Sequence, residues 1–298
     1  MFTFTFEDSM KKTTQLKNLI LSPRLLVMPG AYDAISARLC EQAGFGAVQC
    51  SGMGMAAAMG YPDVSVLSMR EVVDRTGAMA AAVNIPVMGD GDTGYGNAVN
   101  VWFTVREFER AGAAGVNLED QVLPKRCGRL GGKAVVSIEE MVGKLEAAAD
   151  ARNDPDFVIN ARTDALSLNG IEDVIKRGNA FLRAGATMFF VEGIRTRDEI
   201  ARVVAQVDGP VAINLIEDDI GAGLADITFE EIEKLGVARC SISLSTLLGA
   251  VHGITAALQK INTWQGARFD SSVHAPFESV HALAGMEHAT ELSDRYNR

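Results

Sequence analysis

Glu109-Arg110-Ala111-Gly112-Ala113-Ala114-Gly115-Val116-Asn117-Leu118 is a phrase that recurs, with variation, along this chain. Glu41-Gln42-Ala43-Gly44 leads into Gly46-Ala47-Val48-Gln49-Cys50, and Leu182-Arg183-Ala184-Gly185 into Met188-Phe189-Phe190-Val191. Lys234-Leu235-Gly236 leads into Arg239-Cys240-Ser241-Ile242. Each phrase reads as a helix end, a glycine suited to a left-handed cap, and a short apolar strand. Four more apolar runs, at 25–28, 86–88, 157–161 and 210–214, alternate with these. Helical patterns over 33–43, 69–83, 99–111, 138–152, 171–184 and 197–206 separate them. Strands alternating with helices of this length pair in parallel, and eight such units in about 250 residues predict a (β/α)8 TIM barrel. A doubly wound open sheet is the alternative, although it has no reason to stop at eight strands.

In a barrel, functional groups gather at the C-terminal ends of the strands. The polar residues expected there are Ser51, Asp90, Asp92, Glu119, Arg162, Asp164, Glu192, Asn214 and Ser243. Residues 1–263 are read as the barrel, and 264–298 as an appended helical segment that packs on a neighbouring subunit.

Composition narrows the partners. The 298 residues are 48% hydrophobic, and 28 Lys+Arg against 38 Asp+Glu give a net charge of −10. An acidic chain argues against nucleic acid or an anionic membrane as its main partner, while local Arg and Lys still allow an anionic substrate. No apolar run reaches membrane-spanning length, and the first residues lack the cationic and apolar regions of a signal peptide. The four cysteines are scattered without zinc or disulfide spacing, so a reduced, cytoplasmic setting is expected.

Asp90-Gly91-Asp92-Thr93-Gly94-Tyr95-Gly96-Asn97 follows a predicted strand. Two carboxylates one residue apart on a glycine-rich loop suit Mg2+, or Mn2+, held partly through water. A turn in which the Asp side chains cap the next helix is the plainer reading. Pro124-Lys125-Arg126-Cys127-Gly128-Arg129 sets a thiol among cations, which favour thiolate and proton transfer; Cys50 and Cys240, in apolar runs, read as core residues. All four histidines lie beyond the eighth strand, which disfavours a Ser-His-Asp triad or a His-rich zinc site. Arg162, at the end of the fifth strand, can hold a carboxylate bidentately or pair with Glu192. Ser51-Gly52-Met53-Gly54 offers backbone N–H groups to an anion.

Taken together, Asp90 to Asn97, Leu118-Glu119-Asp120-Gln121, Lys125-Arg126-Cys127-Gly128 and Ala161-Arg162-Thr163-Asp164-Ala165 resemble the isocitrate lyase/phosphoenolpyruvate mutase superfamily over nearly the whole chain. The resemblance is strongest to its short methylisocitrate lyase, dimethylmalate lyase and carboxyphosphonoenolpyruvate mutase group. It implies a barrel with a swapped C-terminal helix, a homotetramer, and a small carboxylic acid substrate. It also implies that Asp90 and Asp92 bind the metal, with Asp63 and Glu119 in its surroundings. Ser51, Gly52 and Met53 would hold a pyruvyl group, and Arg162, Glu192 and Asn214 would line the substrate. Cys127 and Gly128 would ride on a gating loop, with Cys127 as proton donor. The implied catalytic residues are Cys127, Arg162 and Glu119, and Asp63, Lys125, Gly128, Arg129 and Ser243 join the substrate-binding set.

Departures from the superfamily's pattern bear on the substrate. Arg129 replaces a His after the Cys-Gly pair, Asn117 replaces a His two residues before Glu119, and Ile242-Ser243-Leu244-Ser245 replaces Tyr-Pro-Leu-Ser. Leu248 and Ala275 stand where methylisocitrate lyases carry Arg residues for a tricarboxylate. Two lost charge-assisted contacts, at about 1.5–3 kcal/mol each, disfavour a tricarboxylate unless Arg129 substitutes. The expected activity is Mg2+-dependent carbon–carbon cleavage of a malate-like 2-hydroxy acid to a 2-oxo acid and a carboxylate. Oxaloacetate hydrolysis or decarboxylation, which Ser243 keeps open, is the first alternative. Phosphorus–carbon chemistry and a non-catalytic binding protein follow.

Overall fold

In the computed structural model, residues 10–128, 131–215, 224, 226–264 and 272–297 are described. Among them, eight parallel strands close into a barrel in sequence order. They are β1 (Leu26–Ala31), β2 (Val48–Cys50), β3 (Val87–Asp90), β4 (Gly115–Glu119), β5 (Val158–Thr163), β6 (Met188–Val191), β7 (Val211–Asn214) and β8 (Arg239–Ile242). The predicted barrel is therefore observed, and β1 pairs with β8 to close it.

The helices begin where local chemistry starts them. Asp33, Ser68, Thr196 and Thr228 each accept from a backbone N–H three residues on, and each forms a reciprocal capping box. Gly44, Gly112, Gly185 and Gly236 all have positive φ, as the recurring phrase requires.

Alternation along the strands divides the core in two. Met88, Val158, Met188 and Phe190 point into the barrel, where Leu16 and Ile20 of the helix Lys12–Leu21 plug its N-terminal end. Val87, Ile159, Phe189 and Cys240 point outward against the helical layer, which supplies Phe108, Leu145 and Phe181.

Two strands run further than their apolar patterns. β1 continues through Pro29 and Gly30 to Ala31, because Gly30 and Ala31 pair with Gln49 and Cys50. β5 continues through Arg162 to Thr163, because Arg162 pairs with Glu119 on one side and Phe190 on the other. Ladder pairing, a long-range interaction, thus carries charged residues into strand positions.

Beyond the barrel, the helix Ser245–Asn262 exposes Val251, Ile254, Leu258 and Ile261, each more than half accessible. The helix Phe277–Leu283 packs against Ala34–Gln42, and Arg38 donates to the Leu283 carbonyl.

Beneath the strand ends, Asp120 ties three elements together. It accepts from Thr163 Oγ1 at 2.7 Å, the Asp164 amide at 3.0 Å and Arg177 Nη1 at 3.0 Å. Arg177 also holds Asp173 at 2.8 Å. Asp120→Ala leaves the buried Arg177 guanidinium with Asp173 and the Val136 carbonyl but without its buried carboxylate, and should cost about 3 kcal/mol in chemical denaturation. A loss under 1 kcal/mol would show that the web contributes little.

Candidate active site

The ends of β3 and β4 lie side by side, with Asp90 opposite Asn117 and Glu119 opposite Arg162. This register brings the acidic residues together at the barrel mouth. Asp90 Oδ2 accepts from the Gly52 amide at 3.0 Å. Asp92, in the left-handed region at φ 46, accepts from Ser65 Oγ at 3.0 Å. Lys125 is 5% exposed, and its Nζ lies 2.7 Å from Asp63 and 2.9 Å from Asp92.

Arg162 gathers a second cluster. It meets Asp164 at 2.8 Å, Glu119 at 3.4 Å and Glu192 at 3.8 Å. Lys133 reaches Asp164 at 2.9 Å and the Gly128 carbonyl at 2.7 Å. The Cys127 loop therefore sits down on the site. A Cβ at Gly128 would lie 2.6 Å from Glu192 Oε1 and 2.8 Å from Arg162 Nη2, so a side chain there would have to displace the ends of both. Gln121 fixes the approach to the loop, donating to the Arg126 carbonyl and accepting from its amide, both at 2.9 Å.

One cavity of about 80 Å3 unites these groups. It is lined by Ser51, Gly52, Met53, Asp63, Asp90, Asn117, Lys125, Cys127, Gly128, Arg162, Glu192, Asn214 and Ser243, among others. Asp92 and Glu119 stand just behind, joined to it through Lys125 and Arg162. A wider groove of about 640 Å3 shares Gly128 with it, but it is walled by surface residues such as Arg202, paired with Glu172. The chemistry belongs to the smaller cavity, where the carboxylates converge.

Burial and crowding set the protonation of the site. Burial pushes Asp90, Glu119 and Glu192 above the ordinary carboxylate range, against the pull of nearby Lys125 or Arg162. Asp164 is also buried, yet Arg162 and Lys133 hold it below its usual value. Lys125 would be depressed by burial, but Asp92, Glu119, Asp90 and Asp63 hold it well above.

The donor set fits a divalent cation. Asp63, Asp90, Asp92, Glu119, Asp164 and Glu192 set six acidic groups against four basic ones, Lys125, Lys133, Arg162 and Arg239. Glu119 Oε1 is buried with no hydrogen-bond partner. Hard oxygen donors are what Mg2+ takes, through one or two carboxylates plus water and substrate. Among the described residues no three acidic, His or Cys side chains form a closed metal cage, since Lys125 lies between Asp63 and Asp92.

Most of the expected positions lie at this cavity. The Ser51 and Gly52 amides are already engaged, by the Ala31 carbonyl at 2.8 Å and by Asp90, so the anion-binding turn offers fewer donors than its sequence suggests. Ser51 Oγ caps the following short helix by accepting from Gly54. Ala275 lines a separate surface depression beside Ile35, Arg38 and Leu283. Arg129 lies outside the described residues.

The residues that the motifs did not disclose lie inside the barrel. Gln49, Asn160, Arg239 and Ser241 are buried. Asn160 donates to Asn117 at 2.5 Å, which gives Asn117 a structural partner, and Ser241 donates to Asn214 at 2.9 Å. Their signal was a polar residue at every second position of an otherwise apolar run.

This barrel, with carboxylates, a buried Lys and Arg, and a thiol at its strand ends, has the makings of an acid-handling enzyme. Residues 16–262 match the family described as phosphoenolpyruvate phosphomutase, and the chain belongs to that family, within the isocitrate lyase/phosphoenolpyruvate mutase superfamily of enzymes. The 2,3-dimethylmalate lyase of Eubacterium barkeri is 38% identical over 291 residues, covering 96% of this chain and 99% of that protein. The 2-methylisocitrate lyase of Shewanella oneidensis is 43% identical over 204 residues, covering 68% and 70%. Among solved structures, oxaloacetate acetylhydrolase in complex with 3,3-difluorooxalacetate superposes with a TM-score of 0.89 at 31% identity, covering 96% and 97%. Phosphonopyruvate hydrolase in complex with oxalate and Mg++ superposes with a TM-score of 0.87 at 32% identity, covering 97% and 100%.

The thiols are distinguishable. Cys127 is half-buried, whereas Cys40, Cys50 and Cys240 are buried. Burial pushes Cys40 up to about 11 and Cys50 and Cys240 up to about 12. Iodoacetamide at pH 8 should label Cys127 first and the other three only after unfolding, read by peptide mass spectrometry. Equal labelling of Cys50 or Cys240 in the native protein would contradict the packing.

Proposed function

We propose that this enzyme is a carbon–carbon lyase that cleaves a malate-like 2-hydroxy acid of the dimethylmalate type. The products are a 2-oxo acid such as pyruvate and a carboxylate. The observation that carries the reading is the lining of one cavity by Cys127, Arg162 and Asp90. It supports a thiol donor, a carboxylate holder and a metal carboxylate acting on one small molecule.

Arg162, with Glu192 behind it, orients the substrate carboxylate. Asp90 and Asp92 would hold Mg2+ or Mn2+, with Asp63, Lys125 and Glu119 setting the local charge; when bound, the cation supplies Lewis-acid polarisation of the substrate oxygens. The 2-hydroxyl proton leaves to a base and the C2–O bond becomes a carbonyl. The C2–C3 pair then passes to the departing carboxylate fragment as an enolate, and Cys127 Sγ–H protonates its carbon. Gly128, seated on Arg162 and Glu192, keeps Cys127 at the cavity and helps exclude water. Met53, Asn214 and Ser243 complete the substrate-facing wall.

A second reading is oxaloacetate hydrolysis, favoured by Ser243 in the cavity wall. It is separated by product: oxalate and acetate from oxaloacetate, against pyruvate from a substituted malate.

For assembly we propose a homotetramer in which a second copy covers the stripe Val251, Ile254, Leu258 and Ile261. Among the described residues no helix is long and apolar enough to cross a membrane. The reading includes a reduced, cytoplasmic setting.

Cys127→Ser should lower kcat for malate-derivative cleavage by at least about 100-fold, and EDTA should abolish turnover until Mg2+ is restored. Near-normal turnover of the variant would remove Cys127 from the mechanism. Separately, Ile254→Glu with Leu258→Glu should shift sedimentation to a smaller species, and an unchanged sedimentation coefficient would exclude this stripe from the interface.

A further inference from the structure

Deep in the same cavity lies a positive charge that the mechanism above does not use. Arg239 opens β8, level with Leu26 and Ala212 at the N-terminal end of the barrel. Its side chain is 0% exposed and runs up through the interior. Nη2 donates to Gln49 Oε1 at 3.0 Å, and the guanidinium lies 5.5 Å from the centre of the Phe190 ring. Gln49 is itself fixed, donating to the Cys50 carbonyl at 2.9 Å. Nε and Nη1 are buried and have no hydrogen-bond partner.

A buried cation with open donors is strongly unfavourable unless something pairs with it. The other cations of the site already have carboxylates. Lys125 has Asp63 and Asp92, Lys133 has Asp164, and Arg162 has Asp164, Glu119 and Glu192. Among the described residues Arg239 has none within salt-bridge distance, although its guanidinium lines the cavity with Ser51, Asp90 and Arg162. Burial pushes it down to about 10, so it is still charged at neutral pH. A water could meet a donor but not the charge. Nη2 spends one N–H on Gln49, which leaves an edge of the planar guanidinium open to a carboxylate.

We propose that Arg239 is a substrate-binding residue that takes the second carboxylate of a dicarboxylic acid at the floor of the cavity, with Gln49 holding the guanidinium in position for it. This deepens the lyase reading and rests on it only in taking the ligand to be a carboxylic acid. It also answers where a second negative charge is recognised in a site whose mouth is already crowded with carboxylates.

The test is calorimetric binding of malonate and of pyruvate to the full-length, Mg2+-loaded protein. Loss of one charge-assisted contact corresponds to about 10- to 100-fold in affinity. Arg239→Met should therefore weaken malonate by that factor while changing pyruvate by less than about 3-fold. Gln49→Glu gives the guanidinium an internal carboxylate, so it should weaken malonate alike while keeping the melting temperature. That variant carries the test if Arg239→Met does not fold. Equal changes for both acids, or none, overturn the proposal, as does a wild-type chain that binds no dicarboxylate. Protection of the melting temperature by chloride but not by malonate would assign the site to an inorganic anion and also overturn it. Selective loss of malonate binding in a protein that cleaves no 2-hydroxy acid would leave Arg239 in this role and remove the lyase reading. Unchanged malonate binding with intact cleavage would do the reverse.

Discussion

Lys125 Nζ, held between Asp63 and Asp92, is the contact on which the arrangement of the barrel mouth depends. Six carboxylates crowd the strand ends, and three of them, Asp90, Glu119 and Glu192, are pushed above their ordinary range by burial. Without Lys125 and Arg162 the cluster would repel itself apart. With them it stays assembled and keeps more acidic than basic groups. Buried carboxylates at this density are tolerated only because the fold pairs them with buried cations.

The barrel makes such crowding possible because its strands are short and its ladders rigid. Register sets Glu119 opposite Arg162 and Asp90 opposite Asn117, so each charged group has a defined neighbour before any ligand arrives. Beneath that layer the interior is not uniformly apolar. Gln49, Asn117, Asn160, Arg239 and Ser241 form a polar storey between the mouth and the apolar plug of Leu16, Ile20 and Met28. Preorganised donors at this depth act where water is excluded and electrostatic interactions are strongest.

The loop that carries Cys127 is positioned by two contacts within its own neighbourhood and one from a distant strand end. Gln121 fixes its approach, Lys133 holds its Gly128 carbonyl, and Gly128 rests on Glu192, the residue that follows β6. The likeness to lyases, hydrolases and a phosphomutase family shows one fold carrying several chemistries, so the particular reaction is set by the site's side chains and not by the barrel.

Much of this was legible in the linear chain. The Ala-Gly phrase marked the strands, because a left-handed glycine cap is a local requirement that leaves a local signature. Asp90, Asp92, Cys127 and Arg162 stood out because charge beside glycine at a strand end has few plain explanations. Other features were out of reach. Whether the Gly52 amide remains open, and that Lys125 bridges Asp63 and Asp92, depend on residues tens of positions apart. Arg239 looked like the polar start of a strand, and only closure of β8 onto β1 turned it into a buried cation facing the site. The sequence by itself determined the period of the elements and the chemical types at their ends. The tertiary structure alone decided which charges meet, because ladder register and barrel closure are long-range pairings.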